Sequence, residues 1–268
     1  MERIHREQPK VEDVQFVTLA EQMGTEYRGF EGGAVKAHNL PVDTMEGLMV
    51  SKEIPEGYFA EAIKVTEEDI CRGGLVTLTQ NIDIKQAVKI EKGVVTVVEL
   101  NNKVLKGGVF TENNGEFVEG NTDSYVFMVN KGGDLTINGN GTVEAQEATY
   151  SMAIWANGGK VTINGGTFIN NGDGCDLIYA SNGATVEIYG GEFKATENTK
   201  AEPGTNNRFS ALNIKDSHRN TTSIKVFGGK FYGFNPANNL SEGENTNFVA
   251  EGYQSNEISE GVWEVTAV

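Results

Sequence analysis

One short phrase recurs along this chain, and it leaves few folds open. Leu135-Thr-Ile-Asn-Gly-Asn-Gly-Thr-Val143, Val161-Thr-Ile-Asn-Gly-Gly-Thr-Phe168, Val186-Glu-Ile-Tyr-Gly-Gly-Glu-Phe193 and Ile224-Lys-Val-Phe-Gly-Gly-Lys-Phe231 share one template. It reads apolar-x-apolar-x-Gly-Gly-x-aromatic. Successive copies begin 26, 25 and 38 residues apart, the last interval being a normal unit with an insertion. A second strip precedes each copy, beginning at Tyr125, Met152, Leu177 and Phe209. Repeats at a fixed period identify stacked architectures before any single motif does.

The physics of the phrase is simple. Apolar-x-apolar is a strand with one face buried. Gly-Gly then turns the chain through conformations that a side chain forbids. The next apolar residue re-enters the core. Equivalent residues of stacked units lie ~4.8 Å apart. Val161 is therefore expected between Leu135 and Val186, with Ile163 over Ile137 and Phe168 stacked on Phe193. A propeller blade needs ~40 residues and four strands, whereas these units hold about three short strands. The leucine-asparagine ladder of leucine-rich repeats is missing. The reading is all-β, a single-stranded parallel β-helix over 75–268. Its coils, about six, open near residues 75, 104, 135, 161, 186 and 224. No single unit buries its own apolar face, but a stack does.

Solenoid ends expose strand edges, which invite aggregation. Thr66 followed by Asp69 has the form of a capping box, so a short helix through Cys71 within 61–74 is expected to close one end. Trp263, in the terminal strand 261–268, is expected to cover the other. Residues 1–60 stand outside the repeat and carry His5, His38 and three of the five prolines. They read as a small β-rich module, either an anchor that docks on a larger assembly or an ordinary capping subdomain.

Composition excludes some partners. The formal charge is −16, so phosphate backbones are repelled and nucleic acid is not expected. No run of apolar residues is long enough for a membrane span. The charged start of the chain lacks the apolar region of a secretory signal, so synthesis in a cytoplasm is expected. Cys71 and Cys175 lie far apart and form no CxxC, and the three histidines are scattered, so neither a disulfide framework nor a metal centre is expected. No cofactor-binding fingerprint is present.

Two stretches carry a resemblance. Leu75-Val-Thr-Leu-Thr through Leu100-Asn-Asn-Lys-Val-Leu-Lys-Gly107 resembles the opening coil of right-handed β-helix repeat proteins. Asn247-Phe-Val-Ala-Glu-Gly-Tyr253, followed by Gly261-Val-Trp-Glu-Val265, resembles the closing segment of such proteins encoded by phages and prophages of gut bacteria. The resemblance implies a virion structural protein, a head fibre in preference to a tail fibre. Such appendages are homotrimers on the particle surface, joined to capsid or tail proteins through an N-terminal anchor, here 1–60. They adhere to host or environmental glycans.

The same fold class includes polysaccharide-degrading enzymes, which need converging acids. Asp173 and Asp176, across a Gly-rich turn, are the first candidates. Asp216, His218 and Arg219, in Lys215-Asp-Ser-His-Arg219, are the second. The first reads more simply as a solvated turn and the second as the polar tip of the insertion after Phe193, so the expectation is a protein that is not an enzyme. Trp155, Tyr179 and Tyr189 are read as outward aromatics, placed either to stack on sugars or to bury in a trimer interface.

Overall fold

The computed structural model describes residues 64–109, 122–148, 150–171, 176–194 and 210–268. The chain divides into two compact units, Met1–Lys64 and Val65–Val268. The anchor expected in 1–60 lies outside the described residues.

The second unit winds through three sheets in rotation. The first coil runs β1 (Gly74–Thr77), β2 (Ile82–Asp83) and β3 (Val88–Ile90). The second runs β4 (Val95–Glu99), β5 (Lys103–Lys106) and β6 (Asp123–Asn130). The third runs β7 (Asp134–Asn138), β8 (Gly141–Ala145) and β9 (Tyr150–Asn157). The fourth comprises β10 (Lys160–Ile163), β11 (Thr167–Asn170) and β12 (Ile178–Ser181). The fifth comprises β13 (Thr185–Ile188), β14 (Glu192–Lys194) and β15 (Leu212–Ile214). A last partial coil holds β16 (Ser223–Val226) and β17 (Gly229–Tyr232). Sheet one is β1-β4-β7-β10-β13-β16, and sheet three is β3-β6-β9-β12-β15. Sheet two is β2-β5-β8-β11-β14-β17, extended by β19 (Val262–Ala267) and β18 (Tyr253–Ser259). All strand-to-strand pairings between these coils are parallel among the described residues, which gives an all-β, β-helix-like stack.

The registers follow the repeat. Val161 pairs with Leu135 and Val186, and Ile163 with Ile137 and Ile188. These side chains are fully buried and form columns up the core. Phe168, Phe193 and Phe231 stack with ring centroids 5.1 and 4.6 Å apart and planes within 10°. One boundary differs from the sequence reading. The second coil opens at Val95, and Val104 belongs to its second strand. Val98 and Leu105 both point into the core, so 95–106 holds two strands on successive sheets.

The glycine pairs have separate duties. A Cβ on Gly228 would lie 2.3 Å from the carbonyl oxygen of Tyr189, so coil-to-coil approach requires its absence. Gly229 has φ 107°, which L side chains rarely adopt.

The N-terminal end is closed as expected. Helix α1 (Glu67–Arg72) has a full capping box: the Thr66 hydroxyl accepts from the Asp69 N–H, and Asp69 accepts from the Thr66 N–H. Ile70 is buried under it, and Thr96 Oγ1 donates to the Ile70 carbonyl at 3.1 Å. At the other end β19 returns antiparallel along β17, with Trp263 half-buried opposite Phe231. Phe234, Phe248 and Val265 are the buried side chains that complete the core there.

Candidate functional site

One acid from each candidate group, Asp176 and Asp216, lies beside β15, the last strand of sheet three. Asp176 precedes β12 and is half-buried. Its Oδ1 accepts the Ser210 N–H at 2.9 Å, and its Oδ2 accepts the Asn213 amide at 2.8 Å. Burial pushes its carboxyl from 3.8 up to about 7; the two hydrogen bonds oppose this, and the negative charge of Glu242 adds to it.

Glu242 lies in the loop after β17. Its Oε1 accepts the Ile214 N–H at 2.6 Å, and its Oε2 takes the Arg219 Nε at 2.5 Å. Arg219 also reaches Asp216 at 2.5 Å. Burial raises the Glu242 carboxyl, against the hydrogen bonds from Ile214 and Arg219. β15 is the last strand of its sheet. The Ile214 N–H points where a further coil would stand, and Glu242 supplies the missing acceptor. These acids are therefore engaged in closing backbone donors.

His218 is turned elsewhere. Its Nδ1 accepts the Asn182 N–H at 2.9 Å, which steadies a residue at φ 56°. So Asp176 and the Arg219–Asp216 pair share one neighbourhood through Glu242, while His218 serves a neighbouring turn. Asp173 and Cys175 lie outside the described residues. Cys71 is a free, half-buried thiol, which burial raises.

Glu242 and Asn213 were not singled out from sequence. Asn213 carried a signal: it occupies the position held by Tyr179 and Trp155 in earlier copies of the strip. Glu242 sits in a loop without periodicity, and nothing in its surroundings marks it.

The three aromatics part company. Trp155 points outward from the coil but is 1% exposed, which corrects the expectation of a surface platform. It packs in a second apolar cluster with Ala87, Tyr125, Met128 and Met152. Tyr125 meets it edge-on at 5.6 Å, and its Nε1 donates to the Ser181 hydroxyl at 3.0 Å. Tyr179 is half-buried against the same cluster. Tyr189 alone of the three is on the surface, 47% exposed, stacked on Phe227 at 4.6 Å.

Outer polar columns accompany these rings. Asn138 donates to Glu99 Oε1 at 2.6 Å, and Asn164 donates to Asn138 Oδ1 at 2.8 Å. On another turn Asn130 donates to Glu91, Asn157 to Asn130, and Asn182 to Asn157. These ladders tie each coil to the next.

Among the described residues no group of three His, Cys, Asp or Glu side chains is placed to hold a metal ion. No helix there is long and apolar enough to cross a membrane. No family model, curated protein or solved structure matches the chain.

Proposed function

We propose that this chain is a display protein: a surface appendage of a phage particle, a head fibre before a tail fibre, holding a right-handed parallel β-helix outward. In this reading it is a homotrimer anchored through 1–60 to capsid or tail proteins. The observation that carries it is the use of the acids. Glu242 and Asp176 accept the backbone donors of Ile214 and Ser210 beside the last strand of sheet three, a scaffold role that supports a non-enzymatic reading. The resemblance of 247–265 to the closing segment of phage and prophage β-helix proteins supports the particle assignment. Right-handed coiling rests on the strong general preference of parallel crossovers for that hand.

A second reading has its own support. Asp176 holds a proton near neutrality beside a second acid, Glu242, as a general acid does. A polysaccharide-degrading enzyme on the same coil stack is that alternative.

Light scattering on the purified full chain tests the display reading. A mass near three times the 29.0 kDa chain is expected. A stable, folded monomer at micromolar concentration would overturn the trimeric fibre.

A further inference from the structure

We propose that Tyr189 and Asn164 form a subsite for a neutral saccharide on the outer margin of sheet one. The inference takes up the sugar-stacking reading of Tyr189, goes beyond the display reading, and rests on the geometry of coils two to six.

The column Glu99, Asn138, Asn164, Tyr189, Phe227 climbs one turn of the stack, one residue per coil. Its lower half is a directed chain of amides. Glu99 accepts only, so Asn138 must offer its Nδ2 to Glu99 and its Oδ1 upward. Asn164 therefore offers its Nδ2 to Asn138 and is left with its own Oδ1. That oxygen ends a chain polarised from a carboxylate, which strengthens it as an acceptor. Asn164 is exposed, so the acceptor is open to a ligand.

The next rung is aromatic. Phe227 covers one face of the Tyr189 ring, with planes 7° apart. The other face looks down the column toward Asn164, whose side chain is too short to cover a phenol ring. The 47% exposure of Tyr189 reflects that face and the ring edge. An open aromatic face above a shorter polar side chain is a notch. Thr162, two residues before Asn164, lies beside it on the outer face of β10.

The chemistry of the notch selects its occupant. An aromatic face takes the apolar C–H face of a pyranose. A lone acceptor takes a hydroxyl or acetamido N–H from the same ring. Glu99 in the column and the formal charge of −16 disfavour acidic sugars and phosphates. A neutral sugar, in particular an N-acetylhexosamine, satisfies all three.

Isothermal titration calorimetry of the full chain with chitohexaose tests this, with the acidic hyaluronan hexasaccharide as comparison. Saturable binding of chitohexaose is expected, about tenfold weaker in Tyr189→Ala and retained in Tyr189→Phe. Asn164→Ala is expected to weaken it as well. Thermal melts confirm that the variants are folded, which their surface positions favour. No binding by the wild-type chain, equal binding by Tyr189→Ala, or preference for hyaluronan would each overturn the proposal. A monomeric mass in solution would overturn the fibre reading and leave this one standing.

Discussion

The backbone N–H of Ile214 donates to Glu242 Oε1 across 2.6 Å, so a side chain stands where a further coil would offer a carbonyl. Arg219 holds the second carboxylate oxygen. Glu242→Ala leaves a strand-edge donor without its partner, and a cost of about 1–3 kcal/mol is expected in urea unfolding. Glu242→Gln keeps an acceptor for Ile214 and loses only the ion pair, so a smaller loss is expected. Equal losses in the two variants would show that the Arg219 pair, not the edge closure, is what matters.

Asp176 makes the fold sensitive to pH. Its carboxyl is raised from 3.8 to about 7, so the folded state favours the protonated form. The stability it contributes is full below its ordinary value and is lost as pH rises through about 7. Glu242 is also raised and acts in the same direction. Asp176→Asn removes this titration. Relative to wild type, the variant's urea midpoint is expected to improve steadily from about pH 4 to about pH 8. A constant difference between the two proteins across that range would contradict the assignment.

The phenylalanine column is the core's largest repeated element. Phe193 lies between Phe168 and Phe231 and is fully buried. Phe193→Ala is expected to cost about 3–5 kcal/mol, read as a fall in urea midpoint without a change in slope. A loss under about 1 kcal/mol would mean that the coils relax around the gap.

Gly228 tests coil-to-coil approach. Its added Cβ would meet the Tyr189 carbonyl oxygen, which belongs to the backbone and cannot swing aside. Gly228→Ala is expected to destabilise by about 1–3 kcal/mol. The same variant displaces the rung under Phe227, so a melt unchanged from wild type would contradict the described packing.

Much of this was legible in sequence because a stacked fold writes itself repeatedly. The Leu135, Val161, Val186 and Ile224 column, the phenylalanine stack and the Thr66 capping box all follow from local pattern. The start of the second coil was misplaced because 95–106 lacks the Gly-Gly phrase at its turn: Asn101 and Asn102, both at positive φ, do that work. Trp155 was misread because alternation tells only that it points away from the coil core. A second apolar cluster on that outer face buries it, and no short-range pattern reports that. Glu242 was missed for a related reason. The need it meets, a free N–H on the last strand of a sheet, exists only once the coils are stacked.

The central claim is that the acids at the end of the stack serve the scaffold and not hydrolysis. Release of reducing ends from purified surface polysaccharides of gut bacteria, incubated with the full chain, tests it most directly. The account predicts no release above that of a heat-denatured control. Release by the wild-type chain that is abolished in a folded Asp176→Asn variant would contradict it and establish the enzymatic reading.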